Sequence, residues 1–307
     1  MTIFQKLFTC ALAFGGLAGA FPLTRRQGGQ LSDIDILNLY PPSPPPCALH
    51  LTNPPPSALT LEHLESAFYR EGFAKFPASD FEALGLDQAT IEGLIAIGKT
   101  EETHVKVLTK AIKASKGVPV EPCTYDFKLT TAASMVQTAR ILEAVGISAY
   151  LGAAPLVKDK AVLSAAASIV TVEARHQTFI RTALKSKPVP QAFDAAIGPL
   201  QIFTLASSFI VSCPKVSDLG LTALPPLNVL DAGNVRSGSN LKMVMPNAKD
   251  GLSCSFTTGD GGLQFSPFKN GACVVPDGIG GETFLTVTTE KEGAGTLADD
   301  KIVAGCS

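Results

Sequence analysis

Four long stretches between residues 58 and 187 place apolar residues at three- and four-residue spacing, and each is followed by Pro or Gly. That is the pattern of four amphipathic helices. The first starts with Thr60 as N-cap and runs to Pro77. The second covers about Gln88–Ser115, closed by Gly117 and Pro119. The third covers about Thr131–Ala153, closed by Pro155, and the fourth about Lys160–Lys187, closed by Pro188. A shorter fifth helix follows Pro199 and ends before Cys213-Pro214. Helices with one apolar stripe each bury it against one another, so the spacing predicts a mainly α fold built on a four-helix bundle.

Charged residues interrupt those stripes in a repeated order. The first helix has Leu61-Glu62 with Tyr69 seven residues after the Glu, and the third has Leu142-Glu143 with Tyr150 seven residues after its Glu. The second carries Glu101-x-x-His104 and the fourth Glu173-x-x-His176. Ile97, Glu101, His104 and Leu108 run at spacings of four, three and four, as do Ile169, Glu173, His176 and Ile180. Residues three apart on a helix share a face, so each Glu-His pair is placed to grip one ion. Buried carboxylates are costly unless paired or bound to metal. Glu62, Glu101, His104, Glu143, Glu173 and His176 together offer hard oxygen plus imidazole, which suits two iron or manganese ions. This is the donor set of the di-iron and di-manganese carboxylate bundles.

A single Glu-x-x-His is weak and often a solvated helix pair. Two of them on alternate helices, with a Glu-x6-Tyr on each of the others, leave little room for scattered surface residues. Glu65 competes with Glu62: it sits centrally on the stripe of Leu61, Phe68 and Gly72, whereas Glu62 lies nearer the flank. The repeat favours Glu62, because Glu143 aligns with it and Gly146 aligns with Glu65. Glu65 is then a fallback ligand or a group behind the ligands. Tyr69 and Tyr150 are open between hydrogen bonding to carboxylates, redox-active phenols and plain core tyrosines.

Composition sets the surroundings. With 25 Lys+Arg against 27 Asp+Glu, a net charge of -2 and no long basic run, nucleic acid is excluded as a main partner. Lys6 followed by apolar Leu7–Ala20 reads as a signal peptide over residues 1–20, and Arg25-Arg26 as a dibasic processing site. The apolar run is shorter than the ~20 residues a membrane span needs. The expectation is a secreted protein, extracellular or in the cell wall, with no membrane partner. Residues 21–57 read as a propeptide and Pro-rich linker, with eight prolines in 40–57. Beyond Pro214, Gly-rich turns separate β-prone runs such as CSFTT and TFLTVTT, so 214–307 reads as a small all-β, sandwich-like domain. Six cysteines remain after the signal, none in a C-x-x-C, and they allow 15 pairings.

The stretches TLEHLESAFYREG, EETHVKVL, PCTYDF, LEAVGISAYLGAAP, VEARHQTFIR and ASSFIVSCP resemble the fungal secreted ferritin-like proteins, a group with stress-response and desiccation-related members. The resemblance is strong over about 58–213 and loose over 214–307. It implies a ferritin-like bundle, with a dinuclear metal site on the six residues above, all of which are present. Within that resemblance, Cys123 is expected to pair with Cys213 and Cys254 with Cys273, leaving Cys47 and Cys306 unassigned. One departure is the Pro-rich stretch between Asn38 and Ala58, where such proteins run directly into the first helix; it is an inserted loop or intron sequence read through. Three functions follow: a di-metal oxidoreductase acting on a small oxidant (ferroxidase, peroxidase or catalase-like); a structural stress protein contacting cell-wall material; and a metal-sequestering protein. The sequence assigns no oligomeric state.

Overall fold

The computed structural model describes residues 58–230, 235–260 and 262–306. The expected signal peptide, dibasic pair, Pro-rich stretch and Cys47 lie outside them. The helical part contains α1 (Ala58–Lys75), a short α2 (Ala78–Glu82), α3 (Gln88–Ala114), α4 (Ala132–Ala153), α5 (Lys160–Ala183) and α6 (Pro199–Ser207). α1 packs along α3 and α4 along α5, and the two pairs close on each other through α1–α4 and α3–α5 contacts.

Local chemistry sets most of these boundaries. Asp87 accepts from the Thr90 N–H at the start of α3, and Asp159 accepts from the Ala161 and Val162 N–H groups at the start of α5. Thr131 and Ser134 form a reciprocal capping box on α4. Such caps contribute about 1 kcal/mol each. Two expectations shift. α1 is already helical at Ala58, so Thr60 is a buried residue inside it and not its N-cap. α5 stops at Ala183, short of Lys187, because Lys185 takes a φ of 55° and the Ser186 N–H bonds back to the Arg181 carbonyl. That left-handed closure ends the helix before Pro188 is reached.

The bundle interior is layered. One apolar cluster gathers Leu64, Phe68, Tyr69, Ile97, Leu142 and Ile180, with others. A second gathers Leu59, Leu108, Ile112, Tyr150 and Ile169. In α3, Glu101 and His104 fall between Ile97 of the first cluster and Leu108 of the second. In α5, Glu173 and His176 fall between Ile169 of the second and Ile180 of the first. The acidic residues therefore form one polar layer between two apolar ones, where electrostatic interactions are strong and unpaired charge is expensive.

A strap outside the bundle ties its connections together. β1 (Thr124–Tyr125) pairs antiparallel with β2 (Ile210–Ser212), and Cys123 is disulfide-bonded to Cys213, 90 residues away. Tyr125 stacks on Phe127, which is tilted against Phe209, and all three pack into the larger helical cluster. Closing a loop of that length removes about 4–5 kcal/mol of unfolded-chain entropy in the chain-entropy picture.

The C-terminal part is one seven-stranded sheet: β3 (Pro226–Val229), β4 (Asn240–Val244), β5 (Ser253–Thr258), β6 (Gly262–Pro267), β7 (Ala272–Val274), β8 (Phe284–Thr288) and β9 (Ile302–Cys306), in the order β6-β5-β8-β9-β3-β4-β7. Only β3–β9 is parallel. The core of this part comes from one continuous sheet, not two separate ones. The Cys254–Cys273 disulfide joins β5 to β7 near opposite ends of the strand order, so the sheet rolls over a core of Cys254, Phe256, Phe268, Leu285 and Val287. Both disulfide pairs expected with the family resemblance are thus present.

The sheet is docked on the bundle. Phe284 packs against the larger helical cluster. Glu282 accepts from Gln177 at 3.1 Å and is ion-paired with Arg181, which is on α5 beside the ligand-bearing turn. Asp260 accepts from the Ala192 and Phe193 N–H groups.

Candidate metal centre

The six residues singled out by spacing converge. Glu62, Glu101, Glu143 and Glu173 are each 0% exposed, His104 8% and His176 6%. Two groups of four donors form, with all donor atoms of a group within 4.8 Å of one another: Glu62, Glu101, His104 and Glu173, and Glu101, Glu143, Glu173 and His176. Glu101 and Glu173 belong to both. The pseudo-symmetry of the sequence is therefore spatial: Glu62 corresponds to Glu143, His104 to His176, and the two shared carboxylates to each other.

The short distances have a common cause. Nδ1 of His104 lies 3.1 Å from Glu62 Oε2, 3.1 Å from Glu101 Oε2 and 3.2 Å from Glu173 Oε1. Nδ1 of His176 lies 3.0 Å from Glu101 Oε1 and 3.2 Å from Glu143 Oε2. A single ring nitrogen carries one proton or one lone pair, so it cannot serve three oxygens with good hydrogen bonds. Donors arranged octahedrally at about 2.1 Å from one ion stand about 3 Å apart, as these do. Glu101 Oε1 and both Glu173 oxygens are buried without a hydrogen bond of acceptable geometry, although Glu101 Oε1 and Glu173 Oε1 face histidine nitrogens. Buried carboxylate oxygens left in that state are where a cation fits. The donor set, the convergence and the unpartnered oxygens all fit a metal ion.

The tyrosines lie behind the carboxylates and cross between halves. Tyr69 of α1 donates to Glu143 of α4 at 2.5 Å, and Tyr150 of α4 donates to Glu62 of α1 at 2.5 Å. Each phenol thus orients the carboxylate of the opposite helix. Burial, together with the neighbouring glutamates, pushes both phenols well above their ordinary pKa, so they stay protonated donors.

Charge is balanced by protons when no ion is bound. Burial raises Glu62, Glu65, Glu143 and Glu173 above the carboxylate range, with neighbouring carboxylates adding to the rise. Burial also acts on Glu101, but the two imidazoles, His104 bonded to it and His176 paired with it, outweigh burial and hold Glu101 at about 2. For the two imidazoles, burial works downward and the surrounding carboxylates win, raising His104 to about 12 and His176 to about 10. The layer as a whole demands positive charge.

Glu65 is also in the layer, 3% exposed, but belongs to neither group of four. It faces Gly146: a Cβ there would lie 2.9 Å from Glu65 Oε1 and 3.4 Å from Glu173 Oε2. Thr100 escaped the sequence reading. Its hydroxyl donates to the Ile97 carbonyl at 2.6 Å and lies 3.0 Å from His176 Nε2, which directs the other ring nitrogen into the cluster. The equivalent position on α5 is Val172, so no repeat marked Thr100.

Residues 56–186 match the family model for the ferritin-like domain. The bundle is a ferritin-like domain. Protein rds1 of Schizosaccharomyces pombe is 26% identical over 161 residues, which cover 52% of this chain and 39% of that relative. The aligned part is thus well under half of the yeast protein. The resemblance to fungal ferritin-like proteins read from the sequence is borne out, as is the helical bundle followed by a β domain. Within the ferritin-like domain, the acidic and histidine layer forms a cluster compatible with a metal site.

Proposed function

We propose that the ferritin-like domain holds two iron or manganese ions and reacts with dioxygen or peroxide, in a secreted protein that serves in stress protection. The observation carrying the reading is the pair of four-donor groups sharing Glu101 and Glu173, with buried oxygens that no hydrogen bond satisfies. One group, Glu62 with His104, would hold one ion; the other, Glu143 with His176, the second. A pair of such ions supplies two electrons to, or accepts two from, an oxygen species in a single encounter. Tyr69 and Tyr150 keep the terminal carboxylates oriented, and the apolar layers above and below exclude water from the reacting space. Thr100 fixes the ring of His176.

Secretion is supported by the two disulfides, which persist in oxidising compartments, and by the N-terminal apolar run. Among the described residues no helix is long and apolar enough to cross a membrane.

The test is anaerobic loading with Fe2+ followed by dioxygen or peroxide, with ferric absorbance read against time. Oxidation faster than buffer, lost when His104 and His176 are both changed to Ala, is expected. Tight metal binding without oxidation would shift the reading to metal sequestration, and no binding at all to a structural role.

A further inference from the structure

The centre has two unlike approaches. On the α3–α5 side stand the two histidines and Thr100, polar groups with slight exposure. On the α1–α4 side is a cavity of about 500 Å³, lined by Leu61 and Leu64 of α1, Leu142 and Val145 of α4, and Leu205 and Phe209 from the α6 end. Leu61 and Leu142 directly precede the ligands Glu62 and Glu143. Glu65 lines the cavity and also faces the cluster across Gly146. Lys128, Ser208 and, at 49% exposure, Ile141 also line it.

We propose that this cavity is the route by which dioxygen reaches the centre, with Glu65 standing at its inner end beside the cluster. The inference rests on the oxidant reading of the site and names its path. Apolar walls favour a small apolar molecule over water or a hydrated ion, as dry apolar cavities take up xenon. Gly146 is in the interior of α4, where Gly costs about 1 kcal/mol relative to Ala. A side chain there would press on Glu65 at the cavity's inner end and on Glu173 behind it. The other half of the bundle has Glu65 itself at the equivalent position, so this arrangement occurs once in the repeat.

Two measurements on the full chain decide it. Crystals pressurised with xenon are expected to show the gas between Leu64, Leu142 and Phe209. Ala206→Phe, which fills the cavity from α6, is expected to remove that xenon and slow oxidation of bound Fe2+ by limiting dioxygen at least about tenfold, as a blocked gate does. Anaerobic Fe2+ stoichiometry is expected to be unchanged. Because Ala206 is buried, Ile141→Trp at the exposed mouth gives a second block with less risk to folding. No xenon in the wild-type cavity, or oxidation at the wild-type rate in both variants, overturns the route alone. Wild-type protein that binds Fe2+ yet consumes no dioxygen overturns the oxidant reading and the route with it.

Discussion

The half of the bundle formed by α1 and α3 and the half formed by α4 and α5 carry matching chemistry at matching places. Glu62 and Glu143, Glu101 and Glu173, His104 and His176, and Tyr69 and Tyr150 correspond, and each Tyr reaches the Glu of the other half. The halves part company at two positions: Glu65 faces Gly146, and Thr100 has Val172 as its counterpart. What is shared is what a pair of ions needs. What differs gives the centre two unlike sides, one polar with the histidines and Thr100, the other bordered through Glu65 by an apolar cavity.

The largest effect that would break the comparison is loss of metal. Changing His104 and His176 together to Ala is expected to reduce bound metal from about two ions per chain to about none, measured by elemental mass spectrometry on folded protein. Each single variant should lose metal to a similar extent; a large difference between them would show that the halves are not equivalent.

Next comes the pH dependence of the metal-free protein. Glu62, Glu65, Glu143 and Glu173 have raised pKa values when folded, so the folded state binds more protons than the unfolded one above the ordinary carboxyl value of 4.5. Stability therefore falls as pH rises from about 5, by up to about 1.4 kcal/mol per unit for each group that titrates. His104 and His176 act in the same direction: their contribution is full below 6.5 and is lost as pH rises through about 12 and about 10 respectively. Glu101, held at about 2, opposes this only in acid, below the ordinary value of 4.5. Thermal unfolding from pH 5 to 8 should thus show a falling Tm without metal. Bound metal, which displaces protons, should reverse the slope; parallel slopes would contradict the account.

Much of this centre was legible in the sequence, because helical spacing projects Glu-x-x-His onto one face and a repeat marks which Glu corresponds to which. The expectation that Glu62 and not Glu65 stands with the histidines came from alignment to Glu143, and the structure places Glu62 3.1 Å from His104. Thr100 was invisible, since it acts on a residue 76 positions away and has no repeat counterpart. The same holds for the β1–β2 pairing, the strand order of the sheet and the Arg181–Glu282 ion pair, whereas the Cys123–Cys213 bridge was expected. All depend on long-range pairing, which local periodicity does not encode. The short α2 has no stripe long enough to register.

A finer comparison uses the tyrosines. Tyr69→Phe and Tyr150→Phe each remove one hydrogen bond to a buried carboxylate, and each is expected to cost about 1.5–3 kcal/mol of stability. Urea unfolding of both variants should give similar losses. Unequal losses would show that one carboxylate is held by something other than its crossed phenol.

The smallest expected effect sharpens the point at which the halves differ. Gly146→Ala should destabilise the protein by about 1–3 kcal/mol through crowding of Glu65. In a Glu65→Ala background the same change should be neutral or stabilising, since Ala favours the helix. Additive losses in the double variant would separate Glu65 from Gly146.

The central claim is that two ions share Glu101 and Glu173. Anomalous diffraction from iron- or manganese-loaded crystals, recorded at the metal's absorption edge, tests it most directly. Two peaks are predicted, one within Glu62, Glu101, His104 and Glu173, the other within Glu101, Glu143, Glu173 and His176. A single peak, or metal found only on the surface with the buried layer empty, would contradict it.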